Sequence, residues 1–267
     1  MAPCLASRAH PHMPLLTACD VDVAVAGRML VQGLKLQLGG GETLAILGRN
    51  GSGKSTLLHT LAGLRPAEAG SVELCGSAYG EHEARAAARL RGLLAQTQLD
   101  AFPATVLETA LVGRHPHLDR WAWESSTDVK IARAALASAG LSGLEEREVH
   151  SLSGGERQRL AIATLLAQQP LLYLLDEPLA HLDVNHQIAM LDLMTHHACD
   201  KGAGFVIVLH DVNLALRYCQ RALLLYGDGR WCEGPVDEVL TAPALSELYS
   251  HPMRIIQDGD TRHIITL

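Results

Sequence analysis

The chain has 267 residues, 48% of them hydrophobic and 19% charged, with 22 Lys and Arg against 29 Asp and Glu for a formal charge of −7. This composition excludes a disordered chain. Its acidic balance argues against a basic surface that tracks nucleic-acid phosphates, so no nucleic-acid partner is expected. No apolar run approaches the roughly 18 residues that a membrane-spanning helix needs. The six cysteines contain no CxxC pair and read as reduced thiols rather than a disulfide framework.

In chain order, residues 1–17 carry three prolines, one Arg and no signal-type apolar run, and read as a loose tail. Cys19 to Val25 and Met29 to Leu38 alternate at period two around Gly27, which predicts an antiparallel pair at one edge of the fold. Thr43 to Leu47 (TLAIL) is a short apolar run of the kind buried in parallel sheets. Helical periodicity runs from Lys54 to Leu64. From Leu90 to Ala167 the pattern is mostly helical, with helices expected over Thr105 to Val112, Asp128 to Ala139 and after Ser153. Leu171 to Leu175 (LLYLL) and Phe205 to Leu209 (FVIVL) return as apolar strands, each followed by helical periodicity. Alternating strands and helices predict an α/β sheet covered on both faces, with the helix-only middle as an insertion.

Chemistry concentrates at three places. Gly48-Arg-Asn50-Gly51-Ser52-Gly53-Lys54-Ser55 fits the phosphate-loop pattern G-x-x-x-x-G-K-[ST], entered by the TLAIL strand and left by a helix that begins with Thr56 nearby. Its glycines let successive N–H groups turn inward toward phosphate oxygens, and the helix terminus adds its dipole. Lys54 would reach the β- and γ-phosphates and Ser55 would sit on Mg²⁺. The strand LLYLL delivers Asp176 and Glu177 at its C-terminal end, where open parallel sheets bind ligands. Asp176 suits the Mg²⁺ shell and Glu177 the attacking water. Leu152-Ser153-Gly154-Gly155-Glu156 is a second glycine-lined helix start, and hence a second anion site in one chain.

LSGGERQR, with Ser153 lying 23 residues before Asp176, resembles the signature motif of the ATP-binding cassette (ABC) transporter ATPases. Gln96 in LLAQ resembles that family's Q-loop, Leu179-Ala-His-Leu-Asp183 its D-loop, and His210 its switch histidine. The resemblance covers roughly residues 18 to 250, with the motifs in the family's order. It implies an α/β fold with a P-loop NTPase (RecA-like) core and an antiparallel β edge over 18–95 and 162–250. An inserted α-helical subdomain over 96–161 and a short C-terminal extension over 251–267 complete it, the last including a short edge strand. It further implies a head-to-tail dimer of two copies with ATP sandwiched between the phosphate loop of one and Ser153, Gly154 and Gly155 of the other. Lys54, Gln96, Glu177 and His210 would be catalytic, and Ser55, Gln96 and Asp176 would hold Mg²⁺. Asp183 would communicate across the dimer.

Two positions depart from the family pattern. The place where the family stacks an aromatic on adenine is about Ala26, flanked by Val25 and Gly27, and Glu156 stands where many members carry Gln.

Three readings compete: the ATPase of an importer working with separate transmembrane permease subunits, the ATPase of an exporter, and a soluble non-transport ABC protein. The lack of a second cassette and of long coiled coils favours the importer. The segment Phe102 to Leu118, with its Gly-Arg-His-Pro-His run, and the Leu248-Tyr-Ser-His-Pro252 ending resemble importers of iron chelates, haem and vitamin B12. The expected order of cargo is a corrinoid first, then an iron-siderophore or haem. The resemblance also implies a peripheral position on the cytoplasmic face of the inner membrane and indirect work with a substrate-binding protein. His115, His117, His196 and His197 lack a Cys or acidic partner at ligand spacing and read as solvated or capping groups rather than metal ligands. Trp121 and Trp123 read as half-buried packing in the helical insertion or, alternatively, as the border of a groove for the permease.

Overall fold

The computed structural model describes residues 13–96, 103–119, 121–259 and 261–267. Strand β1 (Leu16–Val25) turns at Ala26 and Gly27 into β2 (Arg28–Leu38), and β3 (Thr43–Gly48) runs through the glycine-rich loop into α1 (Lys54–Leu61). Strands β4 (Ala69–Leu74) and β5 (Ser77–Ala78), helix α2 (Ala84–Leu90) and β6 (Arg91–Leu94) follow. Helices α3 (Val106–Val112), α4 (Ser126–Ser138) and α5 (Gly154–Gln168) come next. The chain then alternates through β7 (Leu172–Leu175), α6 (Val184–Lys201), β8 (Gly204–Val208), α7 (Val212–Tyr218) and β9 (Arg221–Leu225). It closes with β10 (Trp231–Pro235), α8 (Val236–Val239), α9 (Ala242–Tyr249), β11 (Met253–Asp258) and β12 (Thr261–Thr266).

The central sheet has the order β10-β9-β3-β8-β7-β6, with all neighbouring pairs parallel except β10 against β9. Strands β3, β7 and β8 are buried at every residue, as continuous apolar strands between two layers must be. Their alternation feeds two cores. Ala45, Leu47, Tyr173, Leu175, Phe205 and Ile207 share a core with α3, α4, α5 and α6, whereas Leu44, Ile46, Leu174, Val206 and Val208 share one with α1 and the β1–β2 pair. Burial of each such leucine or isoleucine contributes about 1.5–3 kcal/mol.

The β1–β2 pair is antiparallel as expected, but it belongs to a second sheet of order β2-β1-β4-β5. Helices α3, α4 and α5 open on repeated chemistry. Thr105 with Glu108, Ser125 with Asp128 and Ser153 with Glu156 form reciprocal capping boxes that open α3, α4 and α5. Each satisfies two otherwise orphaned backbone donors.

The Gly-Arg-His-Pro-His run after α3 has a physical role. A Cβ on Gly113 would overlap the Thr164 carbonyl oxygen, so glycine lets the end of α3 rest on the backbone of α5. Arg114 is buried, pairs with Asp128 at 3.0 Å and donates to the Ala167 carbonyl at 2.7 Å. His117 Nε2 lies 2.8 Å from the Gln168 carbonyl. These contacts cap the C-terminal end of α5, the helix whose other end carries Ser153.

Several expectations need correction. Strand begins at Leu16, and Leu16 and Thr17 are buried, so these two residues are not part of a loose tail; residues 1–12 lie outside those described. Helix α1 ends at Leu61 rather than Leu64, because Gly63 adopts a left-handed φ of +68°. The stretch from Leu90 includes β6, which is four residues long and is defined by pairing with β7. The C-terminal residues do hold a short strand, β12, which pairs with β11 in a two-stranded hairpin of their own. Trp121 and Trp123 are 87% and 89% exposed, which rules out half-buried packing. Among the described residues, no helix is long and apolar enough to cross a membrane.

Candidate functional site

The site lies where β3, β6, β7 and β8 end. Strand β3 stops at Gly48, where any Cβ would come within 2.5 Å of Ser52 Oγ and 2.7 Å of the Leu225 carbonyl oxygen. Gly51 and Gly53 hold left-handed φ values of +76° and +99°, which glycine alone adopts without strain, and curl the loop into the first turn of α1. Lys54 is buried and folds back across the loop, donating to the carbonyls of Gly48 at 2.9 Å and Arg49 at 3.1 Å. Asn50 is exposed at the crest of the loop, and Ser52 Oγ is buried without a hydrogen-bond partner. Thr56 lies in the first turn of α1, where its carbonyl accepts from Thr60.

Strand β7 delivers the acidic pair. Asp176 is 1% exposed, its N–H donates to the Leu94 carbonyl of β6, its carboxylate is hydrogen-bonded to Ser55, and its Oδ1 has no partner. Glu177 follows with a left-handed φ of +51°, which swings its side chain across the strand ends. There Oε1 lies 2.7 Å from His210 Nε2, just beyond β8, and Oε2 accepts from Gln96 Nε2 at 3.1 Å, just beyond β6. Three side chains from three neighbouring strand ends therefore meet at one carboxylate.

The electrostatics are those of a site built for opposite charges. Burial holds the Lys54 ammonium below its ordinary value, with Glu177 and Asp176 pulling the other way. Burial likewise pushes the Asp176 carboxyl up, opposed by the Ser55 hydrogen bond. A phosphate would favour the charged form of Lys54, and a divalent cation that of Asp176. The Ser55 hydroxyl and the unpartnered Asp176 oxygen are hard oxygen donors of the type Mg²⁺ prefers, so the residues fit that ion.

Ser153, the N-cap of α5, is exposed, and Gly154 and Gly155 begin the helix. Among the described residues, no hydrogen bond or ion pair joins Ser153 to Lys54, Ser55, Asp176 or Glu177; its partner is Glu156. The tertiary structure thus brings Lys54, Ser55, Asp176, Glu177, Gln96 and His210 together and leaves the signature turn as a second surface. Asp183 caps α6 through His186 N–H at 2.9 Å and also meets His186 Nδ1 at 2.9 Å.

Several contributors escaped the sequence reading. Gly227, in the Tyr-Gly-Asp-Gly turn after β9, packs on the phosphate loop: its Cβ would lie 3.1 Å from Ser52 Cα, and its carbonyl accepts from Arg28 at 2.6 Å. Leu30 of β2 supports Gly53 from below, at 3.0 Å from where a Cβ would stand. A Cβ on Gly155 would come within 3.1 Å of the His181 carbonyl, and Gln158 donates to the Pro178 carbonyl at 2.9 Å, so the loop after Glu177 is seated on α5. Only the paired glycines around Asp228 hinted at any of this. At the expected adenine position, Ala26 and Gly27 form an exposed turn with φ of +50° and +78°, and Val25 beside them is 41% exposed. His196 Nδ1 lies 2.7 Å from the Asp192 carbonyl and His197 Nδ1 3.2 Å from the Leu193 carbonyl, each one turn back within α6. Among the described residues, no group of three or more His, Cys, Asp or Glu is arranged to hold a metal ion.

Comparison with known proteins gives three kinds of match. The family model described as ABC transporter matches residues 31–180. The hemin import ATP-binding protein HmuV of Gloeobacter violaceus is 43% identical over 235 residues, covering 85% of this chain and 84% of that protein. The cobalamin import ATP-binding protein BtuD of Halobacterium salinarum is 38% identical over 215 residues, covering 80% of this chain and 53% of that protein. Among solved structures, a chain from a metal-chelate type ABC transporter in an inward-facing conformation superposes with a TM-score of 0.83 at 30% identity, covering 95% of this chain and 98% of that one.

Proposed function

The chain belongs to the ABC transporter family, and from that premise we propose that it is the ATP-binding and ATP-hydrolysing subunit of an importer that takes up haem through separate permease subunits. The observation that carries the reading is the meeting of Gln96, Glu177 and His210 above the phosphate loop, at 3.1 and 2.7 Å.

In the proposed cycle, the inward N–H groups of residues 48–55 and the N-terminus of α1 hold the phosphates of ATP. Lys54 exchanges its two loop carbonyls for phosphate oxygens. Ser55 and Asp176, with Gln96, would hold Mg²⁺, which when bound draws negative charge from the phosphate oxygens. Glu177 orients the attacking water and accepts its proton, and His210 and Gln96 fix the direction of its carboxylate. A second copy of the chain, docked head to tail, supplies Ser153 and the N–H groups of Gly154 and Gly155 to the γ-phosphate. Asp183, the N-cap of α6, communicates between the two sites. Most of the acceleration then comes from positioning and fixed dipoles at the closed interface.

The proposal places haem ahead of a corrinoid, reversing the expected order. The hemin-named relative aligns over 84% of its own length, the cobalamin-named one over 53%. The second reading, corrinoid uptake, keeps the support of 38% identity to the latter. We place the chain on the cytoplasmic face of the inner membrane, where Trp121 and Trp123 offer a seat for the permease. They border an open groove of about 640 Å³ that also includes Ala84, Arg85 and Ala88 of α2 and Pro116.

The deciding experiment measures ATP hydrolysis by the chain co-purified with its permease in lipid, with a binding protein loaded with haem, cobalamin or a ferric siderophore. Stimulation by the haem-loaded protein supports the reading, and stimulation by cobalamin alone replaces it with the second. Robust hydrolysis without the permease and without any cargo response overturns both in favour of a non-transport ATPase.

A further inference from the structure

The signature turn contains a charge that works against its own task. Glu156 sits in the first turn of α5, its Oε2 accepting the Ser153 N–H at 2.8 Å, while Ser153 Oγ accepts the Glu156 N–H at 3.2 Å. A carboxylate there suits the helix dipole. It also repels any phosphate brought to Ser153, because the same N–H groups and the same dipole serve both anions.

One side chain is built around this conflict. Arg147 lies on the loop before the signature, with its N–H on the Leu144 carbonyl at 2.9 Å and its own carbonyl accepting from Val106 at the start of α3, also at 2.9 Å. Its Nε donates to Ser151 Oγ at 3.0 Å and one Nη to the Ser151 carbonyl at 2.9 Å. The other Nη lies 3.6 Å from Glu156 Oε1, the oxygen that the capping box does not use. The guanidinium therefore spans the turn from the residues before Ser153 to the helix after it, tying both to α3. Only a planar group with several fixed donors can make these contacts at once.

We propose that Arg147 is a positioning residue for ATP turnover, which clamps the Ser151–Glu156 turn and offsets the Glu156 charge so that Ser153 accepts the γ-phosphate held by the partner copy. The inference rests on the ATP-sandwich reading above. It concerns charge as well as shape, and the two are separable. Glu156→Gln removes the repelling charge and retains an oxygen to accept the Ser153 N–H.

The test uses the full-length chain carrying Glu177→Gln and reads the ATP concentration needed for half-maximal dimerisation by size-exclusion chromatography. Arg147→Ala raises that concentration about tenfold, and adding Glu156→Gln to it restores the value to within about threefold. Arg147→Lys, which keeps the charge and loses the fork, falls between. ATP hydrolysis by the same variants in the Glu177 background follows the same order. If Arg147→Ala dimerises at the parental ATP concentration, or if Glu156→Gln gives no rescue, the inference is overturned. Should Arg147→Ala not fold, Arg147→Lys and Arg147→Gln, each with and without Glu156→Gln, carry the same comparison. Ser153→Arg separates the two levels. Dimerisation that survives this block removes the sandwich reading itself, whereas loss of dimerisation with Ser153→Arg but not with Arg147→Ala removes only the role of Arg147.

Discussion

Glu177 Oε1 lies 2.7 Å from His210 Nε2, a contact between residues 33 positions apart at the ends of the adjacent parallel strands β7 and β8. Glu177 reaches it from a left-handed backbone (φ +51°), a conformation that costs a non-glycine residue about 1–2 kcal/mol. Such strain persists where the surrounding structure over-determines it, and functional sites are where it collects. Glu177→Gln keeps an oxygen for His210 and a partner for Gln96 but cannot take a proton from water. ATP turnover is expected to fall by about 100-fold or more with ATP binding intact. Single-turnover hydrolysis beside nucleotide binding checks this, and turnover within tenfold of wild type would remove Glu177 from its role.

Arg114 supports the site from the far end of α5. It is 6% exposed and bridges Asp128, the Ala167 carbonyl and Gln169 Oε1 at 3.0, 2.7 and 3.2 Å. Arg114→Ala leaves a buried carboxylate with only its Ser125 hydrogen bonds and a helix-terminal carbonyl without its Arg114 donor, and is expected to destabilise the fold by about 3 kcal/mol. Urea unfolding measures it, and a loss below about 1 kcal/mol would mean that solvent reaches the pair.

Asp128 makes the same junction sensitive to acid. The hydrogen bonds from Ser125, then the bond from Arg114, hold its carboxyl down at about 2 against an ordinary 3.8. A depressed folded value means that its stabilisation is complete above the unfolded value of 3.8 and is lost as pH falls through about 2. Asp128→Asn should therefore lower the melting temperature near neutral pH and flatten its decline in acid. Parallel declines for the two proteins between pH 5 and pH 3 would contradict the assignment.

Ala26 offers a stabilising change. It sits at the first position of a two-residue hairpin turn with φ +50°, followed by Gly27 at +78°, where the turn type favours Asn-Gly or Gly-Gly. Ala26→Gly relieves the left-handed strain at a smaller cost in unfolded-chain entropy, for a net gain of about 0.5–1 kcal/mol. A thermal melt shows it as a small rise in midpoint, and any fall in midpoint refutes the argument.

The parts of the site that read directly from the residues are those made by one short piece of chain. The phosphate loop, the acidic pair closing LLYLL and the capping turn at Ser153 each depend on contiguous residues, because glycine φ freedom and helix caps are local properties. Gln96 and His210 were reached through the family resemblance, and no local pattern told that both would touch Glu177. Strand β6 escaped because Arg91-Gly-Leu-Leu is too short to show a period; β7 decides it, and a Cβ on Gly92 would displace the Leu165 side chain and press on Pro170 at 3.0 Å. The Gly-Arg-His-Pro-His run was legible as a family mark, while its task of capping α5 was not.

By itself, then, the sequence determined the antiparallel β1–β2 pair, the apolar strands β3, β7 and β8 with the helices that follow them, the two anion-binding turns and the carboxylates between them, since each follows from the conformational limits of neighbouring residues. Tertiary structure alone decided that Glu177 is held by His210 and Gln96, that Asp176 Oδ1 is buried without a partner, that Arg147 faces Glu156, and that both tryptophans stand in solvent. The reason is physical: distances between residues tens of positions apart are set by how sheet and helices pack, and no local preference of the chain encodes them.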